Sequence, residues 1–171
     1  LRLDIFTDNR IEKAAVETKV TVTLTDLSGQ VLGGTTENLI VKSGKQCSAI
    51  SIEGLKNIQL WDINNPSLYI INVEIKYDDK EEKASTRFGF RECNFTPKGF
   101  FLNGERVKIV GLNRHQSYPY VGYAMPKRVQ QKDADIIKQE LCCNTVRTSH
   151  YPQSTHFLDR CDEIGLLVFE E

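Results

Sequence analysis

The first 91 residues alternate between apolar and polar side chains with the two-residue period of half-buried β-strands. The clearest case is Val20, Val22 and Leu24, which alternate with threonines. The same pattern predicts further strands at 1–7, 31–32, 37–41, 47–52, 68–77 and 83–90. The polar run Asp78-Asp79-Lys80 predicts the turn before the last of them. Six or seven short strands at this spacing predict an immunoglobulin-like β-sandwich over residues 1–91.

One segment of the predicted sandwich carries two aromatic side chains around a turn. Trp61 and Tyr69 flank Asn65-Pro66, which favours a turn because proline fixes its own backbone angle. Aromatic residues with a polar ring atom commonly lie in the core with that atom hydrogen-bonded. We therefore predict that Trp61 and Tyr69 are core aromatics, with a platform that stacks on sugar rings as the alternative.

From Glu92 onward the pattern changes to alternating strands and helices. Asn103-Gly104 predicts a hairpin, since both residues tolerate the positive φ angles of its turn. The pattern then predicts a strand at 108–112, a helix at 127–141, a strand at 144–148, a helix at 153–164 and a strand at 166–169. Gly165 marks the end of the second helix. This alternation predicts a parallel sheet with right-handed crossovers.

Polar side chains follow each of the three predicted parallel strands. The ligand site of a parallel α/β sheet lies at the carboxyl ends of its strands, where such side chains meet. The residues selected in this way are Asn113, Arg114 and His115 after the first strand, Arg147, Ser149, His150 and Tyr151 after the second, and Glu170 and Glu171 after the third. Polar groups at three consecutive strand ends predict one shared site.

The sequences around these strand ends resemble a known enzyme family. The resemblance is carried by Asn113-Arg-His115-Gln116, by Arg147-Thr-Ser-His150-Tyr-Pro152 and by the run from Leu158 to Glu171. Together they are similar to the opening βαβαβ segment of the catalytic barrel of glycoside hydrolase family 2, and residues 60–69 are similar to part of that family's second sandwich domain. The resemblance implies a β-sandwich over residues 1–91 and the N-terminal part of a (β/α)8 barrel, or TIM barrel, over residues 92–171.

The barrel is predicted to be incomplete in this chain. A (β/α)8 barrel takes roughly 250 residues, whereas the barrel-like pattern begins only near residue 94 of 171. The predicted fold class is thus an all-β immunoglobulin-like sandwich followed by an incomplete α/β, TIM-barrel segment. Leu1 in place of an initiating Met also indicates a piece of a longer protein. We expect residues 94–171 to be mobile or ordered by self-association, because the half barrel that would cover their apolar face is missing.

The resemblance also implies a chemistry and a role for each site residue. Retaining glycosidases use two carboxyl groups about 5 Å apart, and in the family both lie on later strands, so this chain alone is expected to be inactive. The resemblance assigns catalytic support to Arg147, whose guanidinium would keep the nucleophilic carboxylate ionised, and to His150. It assigns sugar binding to His115, His150, Asn113 and Tyr151. No metal ligand or cofactor is expected in the chain, and the magnesium ligands of the parent enzyme would lie beyond its C-terminus.

Other selected residues have a structural alternative. Asn113 and Arg114 could equally brace the loop that follows the first strand. His156, on the second helix, is predicted to be an ordinary half-exposed residue. Glu170 and Glu171 are neighbours on a strand and point to opposite sides, so they are not predicted to form a catalytic pair. Glu171 is instead expected to have a supporting role.

The resemblance leaves the substrate open within one class, terminal β-linked sugars. β-Galactosidase is preferred because residues 113–120 are most similar to that branch, with β-glucuronidase or β-mannosidase as alternatives. At Gln116 the chain departs from the Asn-Arg-His-Glu sequence common in the β-galactosidases, at a position next to a sugar or ion contact. Two other classes are a carbohydrate-binding or adhesion module built on the sandwich and a purely structural fragment. The first of these predicts exposed aromatics on residues 1–91 and no polar cluster on residues 110–171.

Composition excludes several partners. The chain is 40% hydrophobic and 26% charged, and its formal net charge of −1 offers no basic patch for nucleic acid. No apolar run approaches the ~20 residues of a membrane span, and the localisation stays open. Five cysteines at irregular spacing predict free, buried thiols in place of a disulfide framework or a zinc site.

Overall fold

The structure, a computed structural model, describes residues 1–10 and 15–171. The chain divides into two units. The sandwich unit comprises Leu1–Ile58 and Tyr69–Phe88, and the barrel unit comprises Gln59–Leu68 and Gly89–Glu171. Residues 59–68, which the sequence pattern placed within the sandwich, therefore group with the barrel unit.

The described residues of the sandwich unit form six antiparallel strands in two sheets. One sheet pairs β1 (Arg2–Asn9) with β4 (Gly44–Ser51). The other has the order β3-β2-β5-β6, with β2 at Val16–Asp26, β3 at Val31–Val41, β5 at Tyr69–Tyr77 and β6 at Lys80–Phe88. The alternation predicted for β2 is confirmed, since Val20, Val22 and Leu24 are fully buried. Ile50 and Ile52 are buried as well, so both sheets contribute to the core.

Strand β3 is one continuous strand where the sequence predicted two. The glycines Gly33 and Gly34, which break the apolar pattern, lie inside the strand and are paired with Leu24 and Thr23 of β2. A Cβ atom at Gly34 would lie 2.8 Å from the carbonyl oxygen of Val22. These glycines therefore permit a close backbone approach and do not form a turn.

The barrel unit begins with a three-stranded antiparallel sheet and continues as a parallel one. Strands β7 (Cys93–Thr96), β8 (Gly99–Leu102) and β9 (Glu105–Val107) form the first sheet, and Asn103-Gly104 forms the predicted turn. The parallel sheet has the order β10-β11-β12, with β10 at Gly111–Arg114, β11 at Thr145–Thr148 and β12 at Leu167–Phe169. Helices α1 (Lys127–Asp135) and α2 (Thr155–Ile164) connect these strands. Parallel strands in sequential order that are connected by helices are the repeating pattern of a (β/α)8 barrel.

Two elements of the barrel unit differ from their predicted bounds. The first parallel strand begins at Gly111, not at residue 108, and a Cβ atom at Gly111 would lie 2.2 Å from the carbonyl oxygen of Thr145. The helix predicted at 127–141 changes after Asp135 into a π-helical segment, Ile136–Glu140. This wider turn shifts the buried face, so that Ile137 is buried while Leu141, the last residue of the predicted helix, is exposed.

Two hydrophobic clusters hold the barrel unit together. The first lies between the helices and the parallel sheet and consists of Ala134, Ile137, Cys143, Val146, Phe157, Cys161 and Leu166. The second consists of Trp61, Leu68, Phe100, Leu102 and Leu167. The prediction that Trp61 and Tyr69 are core aromatics is confirmed, because both are buried. The indole nitrogen of Trp61 donates a hydrogen bond to the carbonyl oxygen of Asp162 at 2.7 Å.

Gly165 ends α2 in the left-handed conformation that the sequence predicted, with φ of 72°. The ammonium group of Lys138 donates to the carbonyl oxygens of Gly165 at 2.9 Å and Ile63 at 2.7 Å. Partial burial lowers the pKa of Lys138. This lysine therefore links residues 59–68 to the turn between α2 and β12.

All five cysteines are free, as predicted, but only Cys143 and Cys161 are buried. Cys47, Cys93 and Cys142 are exposed, which corrects the expectation of buried thiols. Burial raises the pKa of the Cys161 thiol to about 12, which makes it unreactive. Within residues 1–10 and 15–171 no helix is long and apolar enough to cross a membrane.

Candidate active site

The two faces of the parallel sheet differ in what they carry. Leu112, Val146 and Val168 pack against the helix-side cluster. The next residue of each strand points to the opposite face, because side chains alternate along a strand. Asn113, Arg147 and Phe169 are adjacent in the register across all three strands, so they form one layer on that open face.

Arg147 is the centre of the polar cluster on the open face. Its Nη1 donates to Asn113 Oδ1 at 3.3 Å, and its Nε donates to Glu171 Oε1 at 3.1 Å. Its Nη2 also donates to Glu171 Oε1 and lies 3.5 Å from Nδ1 of His150. The structure therefore brings together a residue from each of the three strand ends, as the sequence predicted.

Glu171 is held from two sides. In addition to Arg147, Nδ1 of His150 lies 3.1 Å from Glu171 Oε2, and the backbone N–H of Glu171 donates to Thr148 Oγ1 at 3.1 Å. The hydrogen bond from Arg147, followed by that from His150, lowers the pKa of Glu171 below its usual value. Glu171 is thus an ionised carboxylate that fixes the orientation of both partners.

The second group of predicted residues forms a row of rings beside this cluster. The ring centroids of His115 and His150 are 5.4 Å apart in an edge-to-face arrangement, and those of His115 and Tyr151 are 6.3 Å apart. The hydroxyl oxygen of Tyr151 accepts a hydrogen bond from the backbone N–H of Gln116 at 2.9 Å. His115, His150 and Tyr151 therefore lie together, and the two histidines are exposed.

Arg114 is separated from this cluster although it is next to Asn113 in sequence. It points to the helix side, where its guanidinium contacts Asp133 Oδ2 at 2.8 Å and Gln130 Oε1 at 2.8 Å. It also donates to Gln153 Oε1, and its guanidinium carbon lies 3.9 Å from the centre of the Phe157 ring. Arg114 therefore braces the structure, which was one of its two predicted roles.

The remaining selected residues lie outside the cluster. Ser149 is fully buried, and its backbone N–H donates to the carbonyl oxygen of Arg114 at 2.9 Å. His156 is exposed on α2, and Glu170 is exposed next to Glu171. Within residues 1–10 and 15–171 no group of three or more His, Cys, Asp or Glu side chains is placed to hold a metal ion.

Two glutamines support the site and were not predicted to do so. Gln153 donates through Nε2 to the carbonyl oxygen of Arg114 at 2.7 Å. Gln116 accepts the backbone N–H of Ser154 at 2.8 Å through its side-chain oxygen. Both join the loop after β10 to the loop after β11, and the sequence gives no local signal of contacts 38 or 39 residues apart.

The cluster has the groups needed to bind a polyhydroxylated ligand. A guanidinium, an amide and imidazole rings offer donors and acceptors at one exposed edge of the sheet. Retaining glycoside hydrolysis additionally needs two carboxyl groups, and the cluster of Asn113, Arg147, His150 and Glu171 supplies one, which is already bonded to Arg147. The arrangement is thus suited to holding a sugar and a further carboxylate.

Family models match both parts of the chain. The glycosyl hydrolases family 2 model matches residues 1–91, and the model of the family 2 TIM barrel domain matches residues 94–171. The predicted fold class, a sandwich followed by the start of a TIM barrel, is thereby confirmed.

Individual relatives agree with these models. The chain is 54% identical over 153 residues to a beta-galactosidase of Thermoanaerobacterium thermosulfurigenes. The aligned residues cover 90% of this chain and 21% of that protein. It is 36% identical over 141 residues to a putative beta-glucuronidase of Formosa agariphila, covering 81% of this chain and 17% of that protein. The chain thus spans about a fifth of the length of the curated relatives it matches.

Solved structures show the same architecture. A family 2 glycosyl hydrolase from Bacteroides cellulosilyticus superposes with a TM-score of 0.92 at 26% identity, covering 99% of this chain and 23% of that one. The beta-glucuronidase of Parabacteroides merdae superposes with a TM-score of 0.83 at 32% identity, covering 99% and 21%. Sequence models, relatives and structures agree that this chain belongs to glycosyl hydrolases family 2.

Proposed function

We propose that this chain contributes part of the active site of a retaining glycoside hydrolase that cleaves terminal β-linked sugars, with β-galactosides as the preferred substrates. The observation that carries the proposal is the exposed cluster of Asn113, Arg147, His150 and Glu171 at the carboxyl ends of three consecutive barrel strands. The beta-galactosidase that is 54% identical to the chain supports the choice of sugar.

We assign a role to each residue of the site. Arg147 has one carboxylate partner in Glu171, and its exposed side can orient a second carboxylate and keep it ionised. His150 and His115 present ring nitrogens, and Asn113 an amide, to the hydroxyl groups of the sugar. Tyr151 forms the wall beside them. Hydrogen bonds to these hydroxyls that strengthen in the transition state would accelerate cleavage.

The catalytic acid/base and nucleophile are not assigned to this chain. Glu171 is bonded to Arg147 and His150, so we propose that it positions these two residues and does not attack the sugar. Both reacting carboxylates would come from later strands, as would the ligands of any magnesium ion in the complete enzyme. The chain alone is then expected to be inactive.

A β-glucuronidase is the second candidate. It is supported by the putative beta-glucuronidase of Formosa agariphila and by the Parabacteroides merdae structure. The two candidates differ in the carboxylate that a glucuronide carries. β-Mannosidase and a non-catalytic carbohydrate-binding module remain hypotheses from the sequence, and the polar cluster on the barrel unit favours an enzyme over the module.

The test compares two substrates on the full-length gene product. We expect kcat/KM for 4-nitrophenyl β-D-galactoside to exceed that for the glucuronide by about 100-fold or more, a difference of ~2.7 kcal/mol in transition-state binding. The 171-residue chain should release no nitrophenol above buffer, and Arg147→Met in the full-length gene product serves as the control with strongly reduced activity. Preference for the glucuronide would replace the first candidate by the second. Hydrolysis of neither compound would overturn the proposed function.

A further inference from the structure

The loop between β10 and α1 presents tyrosines to solvent. Tyr120 and Tyr123 are fully and 70% exposed, respectively. The loop tip is closed by two reciprocal backbone hydrogen bonds between Tyr118 and Gly122, of 3.1 and 2.9 Å. This closure fixes the backbone of the loop tip that carries Tyr120.

Tyr123 extends the row of rings described for the site. Its ring centroid lies 6.2 Å from that of Tyr151, with an angle of 83° between the ring planes. Tyr151 in turn lies 6.3 Å from His115, which lies 5.4 Å from His150. Four rings therefore connect the polar cluster around Arg147 with the β10–α1 loop.

The ring next to Tyr123 is firmly positioned. The Tyr151 hydroxyl accepts the backbone N–H of Gln116, and the Gln116 side chain accepts the backbone N–H of Ser154. Tyr151 is thereby tied to both loops that border the site. Tyr123 rests with edge-to-face geometry against this fixed ring, which is the arrangement that aromatic pairs prefer.

We propose that Tyr123 and Tyr151 form the subsite for the leaving group, and that this subsite takes a second sugar. The proposal rests on the proposed function. One face of a pyranose ring carries mainly C–H groups, which pack on an aromatic face, while its hydroxyl groups remain in contact with water and with a phenol oxygen. Of the four rings, His150 and His115 are assigned to the sugar whose bond is cleaved, so Tyr151 and Tyr123 are left for a second sugar. The polar end binds the sugar whose bond is cleaved, and the tyrosine end binds the sugar that leaves.

The subsite makes a specific prediction about substrates. A leaving group that fills it gains binding from Tyr123, whereas a methyl group is too small to reach the tyrosine end of the row. Removal of the Tyr123 ring should therefore lower kcat/KM for disaccharides and leave kcat/KM for methyl glycosides nearly unchanged. The phenol ring, and not its hydroxyl, provides most of this contact, so phenylalanine should substitute for tyrosine.

The experiment uses the full-length gene product with lactose and methyl β-D-galactoside, or with the corresponding glucuronides if those are the substrates. Tyr123→Ala should lower kcat/KM for the disaccharide about tenfold, mainly through KM, and change it less than about twofold for the methyl glycoside. Tyr123→Phe should stay within about threefold of wild type on both. Tyr120→Ala is the matched control, because it removes an exposed tyrosine of the same loop that is not part of the ring row.

Three results would overturn the inference. Equal losses on both substrates would show that Tyr123 does not discriminate leaving groups. An equal effect of Tyr120→Ala would remove the assignment to the ring row, and a Tyr123→Ala protein whose disaccharide kinetics match wild type would remove the subsite.

Thermal unfolding of each variant separates these results from a folding defect, and Tyr123→Trp, which keeps a ring face, should retain disaccharide activity. A wild-type protein that cleaves neither substrate would overturn the proposed function itself, and the subsite with it.

Discussion

Arg114 and Arg147 lie at the carboxyl ends of adjacent strands and have opposite surroundings. The side chain of Arg114 is 4% exposed and is surrounded by Asp133, Gln130, Gln153 and the Phe157 ring. The side chain of Arg147 is 39% exposed and reaches residues on the uncovered face of the sheet. Arg114 points to the helices and Arg147 points away from them.

The face of the strand on which a charged residue lies decides what that residue can do. The guanidinium of Arg114 is engaged by internal acceptors, so it has no free side for a ligand. The guanidinium of Arg147 is oriented by Glu171 and Asn113 but remains accessible. The first arginine contributes to the stability of the fold, and the second is available for chemistry.

The largest expected effect is the loss of unfolding free energy when Arg114 is replaced. Arg114→Met would leave Asp133 and two glutamines without their partner in a largely buried site, which costs about 3–5 kcal/mol of unfolding free energy. Arg147→Met, at an exposed pair, should cost less than about 1 kcal/mol. Urea denaturation followed by the fluorescence of Trp61, the one tryptophan of the chain, reports on the barrel unit. Equal losses in the two variants would refute the distinction between the arginines.

For kcat we expect the reverse order, with a larger direct loss from substitution of Arg147 than of Arg114. In the full-length gene product Arg147→Met and His150→Ala should each lower kcat by roughly 30- to 1000-fold, about 2–4 kcal/mol, with a smaller change in KM. The reason is that their proposed partners are charges and hydroxyl groups whose contacts tighten in the transition state. Steady-state kinetics with a nitrophenyl glycoside measures the effect. A variant of either residue with near wild-type kcat/KM would remove that residue from the active site.

The uncovered face should also make the isolated chain associate. Phe95 and Phe169 are both exposed, and their ring centroids are 6.3 Å apart on the barrel unit. We expect Phe95→Ser combined with Phe169→Ser to weaken self-association about tenfold in light scattering, because apolar surface favours contact between copies. Phe6→Ser, which removes a phenylalanine that is 80% exposed on the sandwich unit, is the control. A wild-type chain that light scattering shows to be a monodisperse monomer would contradict this prediction.

The smallest effect concerns the titration of Glu171. Its lowered pKa means that the bonded carboxylate stabilises the fold above its usual pKa near 4.5, and that this contribution is lost as the pH falls through the lower folded value. Carbon-detected NMR of the Glu171 carboxyl group should show the lowered pKa in wild type. Arg147→Met should raise the pKa of Glu171 more than His150→Ala does, since the Arg147 hydrogen bond is the larger cause. A pKa that does not change in Arg147→Met would show that this pair does not form in solution.

The sequence predicted those features that depend on neighbouring residues. Alternation along β2, the Asn103-Gly104 turn and the end of α2 at Gly165 are all local signals, and the structure contains each of them. The grouping of polar residues at strand ends was also predictable, because parallel strands in sequential order place their carboxyl ends together.

Features that depend on distant contacts were not predictable. Gly33 and Gly34 have the sequence signature of a turn, and only the approach of Val22 and Leu55 shows why they lie in a strand. The switch to a π-helix after Asp135 changes which side chains are buried without a break in the apolar pattern. For Arg114, the choice between ligand and brace depended on partners 16 to 39 residues away.

The contact between Trp61 and Asp162 has a consequence for biosynthesis. The two residues are 101 positions apart, and a ribosome adds about 5–20 residues per second. For roughly 5–20 seconds after Trp61 is added, the chain lacks β12 and the end of α2. These elements supply Leu167 of the Trp61 cluster and the carbonyl oxygen of Asp162 that accepts the indole hydrogen bond. Residues 59–68 are the first part of the barrel unit to be synthesised, yet the hydrogen bond of Trp61 can form only after the end of α2 has been added.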